Sequence, residues 1–187
     1  MIDLFGDGLR RRKLDRLFGV IDVDGDGVIT QADYEQLGQL MAKVSGAAPD
    51  SARSNELKAT FGQLWREFQA PADQDGDGRI GSDEFASSVL TPLGVAPDRV
   101  LRFIGLLCNA SFGVADTDGD GRISKAEHLR MGREVFRVDE AGAATSFEKL
   151  DFFNNGYLTL DAYLIAFTEF VTSPDPNARG NWLFGDF

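Results

Sequence analysis

The chain has 187 residues, 43% of them hydrophobic and 15 of them Phe, which is ample for one compact unit or two small lobes and excludes a disordered acidic protein. Its formal charge is −11, from 19 basic and 30 acidic residues, and a single cysteine excludes an internal disulfide. An acidic balance of this size argues against nucleic-acid binding, so the "RRRK" run from Arg10 to Lys13 reads as a solvated helix face.

In chain order, an amphipathic run over residues 8–21 predicts a helix leading into "DVDGDGVITQAD" at 22–33, and a second helix over 31–44 leaves it. "SGAAPDS" then breaks the pattern with Gly and Pro. A helix over 52–69 leads into "DQDGDGRIGSDE" at 73–84, a short helix runs on to about residue 90, and "TPLGVAP" at 91–97 is the expected hinge between two halves. The segment 98–114 carries Leu101, Phe103, Ile104, Leu106, Leu107 and Phe112, so a central position with little exposed face is expected. "DTDGDGRISKAE" at 116–127 follows, then helices over 125–138 and 142–150, "DFFNNGYLTLDA" at 151–162, and a last helix over 160–171. A Pro-broken tail ends in "NWLFGDF". Its Trp182, Leu183, Phe184 and Phe187 are costly to leave in water, so the tail is expected to fold back into a groove between the lobes, with a docking peptide as the alternative.

The four quoted twelve-residue segments are copies of one unit. Carboxylates crowded at alternate positions repel, and without compensation at least one has its pKa driven up, so a bound cation is the expected remedy. Calcium takes six to eight oxygens, supplied in a helix-loop-helix from positions 1, 3, 5, 7, 9 and 12 of a 12-residue loop, with Gly at 6 for the turn. The third copy fills this template with Asp116, Asp118, Asp120, the carbonyl of Arg122, Ser124 and Glu127. The second supplies Asp73, Asp75, Asp77, the carbonyl of Arg79 and Glu84, while Gly81 at position 9 leaves room for a water. The first supplies Asp22, Asp24, Asp26, the carbonyl of Val28, Thr30 and Asp33, whose side chain is one methylene shorter than the Glu of the other two. The fourth keeps Asn155 and Gly156 but has Phe153 at position 3 and Ala162 at position 12, so no ion is expected there.

Three acidic loops thus predict three Ca2+ sites, and all-oxygen ligation argues against soft metals. Asp33, able to reach an ion with one oxygen only, makes the 22–33 loop the expected place for Mg2+. The net acidity belongs to the loops: setting aside their 12 acidic ligands gives −11 + 12 = +1, and three divalent ions bring the charge to −11 + 6 = −5. A looser metal-free form is expected.

Flanking residues extend the repeat. Phe18, Phe112 and Phe147 lie four residues before their loops, whereas Phe68 is one step early in the second unit. Position 8 is Ile29, Ile80, Ile123 or Leu158. On these loops, residues 10–171 resemble the EF-hand proteins, in particular the four-hand sarcoplasmic calcium-binding proteins and their bacterial relatives of the calerythrin type. The resemblance implies an all-α fold of two EF-hand pairs, residues 1–92 and 93–187, packed into one compact unit, with position 8 making short β contacts between neighbouring loops. It implies a monomeric, non-enzymatic intracellular calcium buffer or transporter, with calcium ions as partners, no nucleic acid, no membrane and no identified protein partner.

Two alternatives carry a different function. A sensor opens on calcium to present a Met-rich groove, but this chain has only Met1, Met41 and Met131. Photoproteins of the same architecture hold an oxygenated luciferin with several histidines, where this chain has His128 alone, while a luciferin-type carrier needs no more than an apolar cavity lined by Phe and Trp65. Cys108 reads as a buried small hydrophobe, and His128 as packed or exposed rather than a ligand. The sequon at Asn109 lies in a predicted helix. The N-terminus has no apolar signal core, and Ile2 stands where myristoylation needs Gly, so a cytoplasmic location is expected.

Overall fold

The computed structural model describes residues 4–186, and Phe187 of the tail lies outside the described residues. Helix α1 (Leu4–Ile21) buries Leu14, Leu17, Phe18 and Ile21, an i, i+3, i+4, i+7 stripe. Thr30 caps α2 (Gln31–Val44), its side chain accepting from the Ala32 amide while Asp33 accepts from the Thr30 amide. Helix α3 (Ala52–Leu64) begins at Ser51 and passes into a π-helical turn at Trp65–Gln69 and a 3-10 turn at Ala70–Ala72. Then come α4 (Ser82–Val95), α5 (Pro97–Ala115), strand β1 (Ile123–Ser124), α6 (Lys125–Glu134), α7 (Glu140–Leu150), strand β2 (Tyr157–Leu158), α8 (Leu160–Thr172) and a 3-10 turn at Arg179–Trp182. The architecture is all-α, and no helix of the described residues is long and apolar enough to cross a membrane.

The loops pair through position 8. Ile29 and Ile80 exchange backbone hydrogen bonds of 2.9 and 2.8 Å, and β1 pairs antiparallel with β2 in the register Ile123 to Leu158. A second repeat runs one residue past each loop, at Tyr34, Phe85, His128 and Tyr163, and each ring meets an aromatic of the neighbouring unit's entering helix. Phe85 meets Phe18 at 5.8 Å, His128 meets Phe147 at 5.7 Å, Tyr163 meets Phe112 at 6.0 Å and Tyr34 meets Trp65 at 5.8 Å. His128 is therefore a packing residue, 3% exposed, with Ser146 3.0 Å from Nε2.

The π turn explains the early Phe68. An i→i+5 bond from the Ala70 amide to the Trp65 carbonyl takes up one extra residue, so Phe68 is still carried inward, 5.4 Å from Phe103. Pro71 has no amide to give the preceding turn, and Arg99 bonds the Glu67 carbonyl instead at 3.2 Å.

Three expectations about the fold need correction. The break expected across 91–97 is confined to Ala96: α4 runs through Pro92, which in the last turn forfeits a single bond, and Pro97 opens α5 with a φ already suited to a helix. Helix α5 is central but not wholly covered, since Leu101 is 48% exposed near its start.

The "RRRK" run is the larger correction, because Lys13 is fully buried. Its Nζ donates to the carbonyls of Glu169 and Ser173 at 3.1 and 2.7 Å and to Asn181 Oδ1 at 3.0 Å, tying α1 to α8 and the tail. Arg10 bonds the Thr172 carbonyl, and Arg11 bonds Asp15, Asp83 and Ser82. Burial pushes the Lys13 ammonium down to about 8. The tail does fold back: Phe184 is 1% exposed, its ring edge-on to Phe136, Phe167 and Phe170, while Trp182 stays half-buried. Gly180 permits the approach, because a Cβ there would lie 2.5 Å from the Ala166 carbonyl oxygen.

Lys13→Met leaves those three acceptors without their donor. Stability is expected to fall by about 2–4 kcal/mol, read as a lower urea midpoint, and chymotrypsin to cut the tail faster. An unchanged midpoint would show that Lys13 does not hold the tail.

Candidate metal centres

Each acidic loop is built by the same ladder of backbone amides. The first carboxylate accepts the amides of positions 4 and 6, at 2.8 and 3.1 Å for Asp22, 2.7 and 2.9 Å for Asp73, and 2.8 and 3.0 Å for Asp116. Both donors are glycines with positive φ, 75° and 88° in the first loop, a conformation that a Cβ would strain. Asp24, Asp75 and Asp118 accept the amide of position 5, each at 3.2 Å, and Asp26, Asp77 and Asp120 accept that of position 7, at 3.0, 2.8 and 2.8 Å.

The last carboxylate closes the loop. Asp33, Glu84 and Glu127 each accept the amide of position 2, at 3.1, 3.2 and 2.8 Å, and that of position 9, at 2.9, 3.0 and 2.9 Å. The hydroxyls of Thr30 and Ser124 add a bond to the same carboxylate, both at 2.8 Å. Gly81 has no hydroxyl to add. The missing methylene of Asp33 does not prevent this closure.

Three donor clusters result: Asp22, Asp24 and Asp33; Asp73, Asp75 and Glu84; Asp116, Asp118 and Glu127. In each, one oxygen from every residue lies within 4.8 Å of the others. Asp26, Asp77 and Asp120 stand outside the clusters, and Thr30 and Ser124 turn their hydroxyls to the closing carboxylate. Val28, Arg79 and Arg122 hold position 7, and the Arg122 guanidinium lies 4.2 Å over the Tyr157 ring. Hard, all-oxygen donor sets of this kind suit calcium or magnesium.

Crowded carboxylates need compensation, and at two of them backbone amides supply part of it. The Gly78 and Gly76 amides hold Asp73 below the usual range. Burial acts to raise Glu127, but donors from Ser124 and Thr117 outweigh it and bring the group to about 2.

The fourth loop has the scaffold without the donors. Asp151 accepts the amides of Asn155 and Gly156 at 2.9 and 2.8 Å, and Asn154 takes the positive φ of 53° that Gly takes in the other loops. Phe153 is 59% exposed at position 3 and Ala162 is buried at position 12.

Sequence spacing gave no hint of four arginines on carbonyls where the entering helices run into their loops. Arg137 bonds Val23 at 2.7 Å, Arg99 bonds Glu67 at 3.2 Å, Arg130 bonds Ala115 at 3.4 Å and Arg179 bonds Asp151 at 2.9 Å. These residues come from scattered positions with no shared motif, so the repeat could not reveal them.

The family model described as EF hand matches residues 14–37, 72–90 and 109–127, the three acidic units. Calerythrin of Saccharopolyspora erythraea is 28% identical over 161 residues, 84% of this chain and 89% of its own. The luciferin-binding protein of Renilla reniformis is 28% identical over 181 residues, 94% of this chain and 92% of its own. A solved structure of a Streptomyces coelicolor calcium-binding protein is 31% identical, covers 89% of this chain and 99% of its own, and superposes with a TM-score of 0.74. The chain therefore belongs to the EF-hand family of calcium-binding proteins, and it is similar to calerythrin.

Proposed function

We propose that the three acidic loops each hold one calcium ion and that the protein is a closed, cytoplasmic calcium buffer built of two hand pairs, residues 1–92 and 93–187. Asp22, Asp24, Asp26, Thr30 and Asp33 serve the first ion with the Val28 carbonyl. Asp73, Asp75, Asp77 and Glu84 serve the second with the Arg79 carbonyl, and Asp116, Asp118, Asp120, Ser124 and Glu127 serve the third with the Arg122 carbonyl.

The observation that carries the buffer reading is the filled interior. Leu17, Ile21, Met41, Leu107, Phe167 and Phe184 converge from both halves around a void of about 10 Å³. Ligand pockets run to roughly 300–1,000 Å³, so a luciferin-sized guest has no room there. A sensor's groove between the helices is likewise occupied, by the chain's own tail. One feature favours the sensor as a second reading: Phe153, Leu160, Leu164 and Ile165 give the fourth unit an exposed apolar face. The Streptomyces coelicolor relative is a protein of calcium-mediated regulation.

Titrating calcium into metal-stripped protein in millimolar magnesium separates these readings. Fluorescence of an apolar-surface dye is expected to fall as the molecule tightens, and a rise would favour the sensor. Native mass spectrometry is expected to count three ions. Each site filled at a hundred times its dissociation constant adds about 2.7 kcal/mol of stability, so the thermal midpoint should climb steeply with calcium, and equal midpoints would refute tight binding. Asp33→Glu is expected to lower magnesium affinity at the first loop severalfold, and unaltered magnesium affinity would end the idea that Asp33 admits that ion.

A further inference from the structure

The first loop differs from the other two in what covers it. Asp22 and Asp33 are 6% and 2% exposed, whereas Asp73, Glu84, Asp116 and Glu127 are half-buried. The cover includes the segment that follows α6. From it, Arg137 sends Nη2 to the Val23 carbonyl at 2.7 Å and Nη1 to the carbonyls of Gly19 and Asp22 at 3.4 and 3.5 Å. In return, Arg16 of α1 bonds the Phe136 carbonyl at 2.7 Å and the Phe184 carbonyl at 3.1 Å. Among the described residues, neither guanidinium has a salt-bridge partner, and this is the one acidic loop whose first two carbonyls accept a side chain from another unit.

The Val23 peptide is where this clasp meets the metal site. Its amide donates to Asp33 Oδ1 at 3.1 Å, the contact that joins the two ends of the loop, while its carbonyl accepts Arg137. Arg137 holds this bond from a backbone φ of 55°, a left-handed conformation that costs a non-glycine residue on the order of 1 kcal/mol. A glycine would sit there unstrained, so what the arginine contributes is its side chain.

We propose that Arg137 is a positioning residue for the first metal loop, coupling occupation of that loop to docking of the C-terminal tail. The clasp fixes the peptide that carries the loop-closing bond, and Arg16 fixes Phe184 to the same segment. Calcium at the first loop and a docked tail then support each other, by the reciprocity that any coupling between two sites obeys. The proposal rests on the reading that the first loop holds calcium.

Arg137→Gly tests it in the full-length chain, because glycine relieves the backbone strain while deleting the guanidinium. The amides of Gly27, Gly78 and Gly121 report the three loops separately by NMR as chelator-buffered calcium is raised. The expected result is a loss of affinity at Gly27 of roughly fivefold to tenfold, with Gly78 and Gly121 unmoved and the metal-free thermal midpoint not lowered. Arg137→Lys, which keeps the charge but not the fork, should recover that loss only in part. Calcium should also slow chymotryptic cleavage of the tail in the unaltered protein and cease to do so in Arg137→Gly. Unchanged or tighter binding at Gly27, equal losses at all three loops, or a calcium effect on tail cleavage that survives the substitution would overturn the proposal. If Gly27 of the unaltered protein ignores calcium, the three-site reading itself fails and the coupling falls with it, an outcome visible before any substitution.

Discussion

The three acidic loops depend on the carboxylate at their twelfth position. Asp33, Glu84 and Glu127 accept the amide near the start of their loop and the amide that precedes the exit helix, so one side chain joins the loop's two ends and fixes where the exit helix begins. Because the next residue is an aromatic that packs against the neighbouring unit, the closure also sets how two units meet. Loop, helix start and inter-unit contact are one construction.

The same bond gathers each donor cluster where a cation can meet it. Backbone amides already face the carboxylates, and at Glu127 they act with the hydroxyls of Thr117 and Ser124, against burial, to bring the group to about 2. In the degenerate fourth loop, Asp151 keeps its two amides and the loop keeps its form, though Phe153 and Ala162 occupy positions where the other loops carry acids. Scaffold and ligand set are separable, and the fourth unit preserves the first to pair with the third.

The sequence made the repeat, its loops and the apolar core of α5 legible, because each rests on local spacing. His128 was readable too, since counting one residue past the loop aligns it with Tyr34, Phe85 and Tyr163. Lys13 departs from the solvated face its run predicts, although its place gives a clue: four residues before Leu17 and eight before Ile21, it falls on the buried stripe of α1. What overrode its charge was the tail, whose carbonyls and Asn181 surround it, and contacts separated by more than 150 residues leave no trace in local pattern. Arg137 is opaque for the same reason. The extent of α4 beyond Pro92 shows that a breaker residue near a helix end has little left to break.

The π turn at Trp65–Gln69 has a consequence for how the chain tolerates changes in length. An added residue in a regular helix rotates everything beyond it by about 100°, which would point the aromatic of the entering helix away from the core and misdirect the loop that follows. Here the surplus is taken up within five residues, as a seam, and the second loop emerges in phase with the other three. A single-residue deletion inside that seam would restore the regular i→i+4 bonding that the entering helices of the first and third units keep. The seam thus confines an insertion to one turn, and a repeat that has gained a residue still docks as its neighbours do.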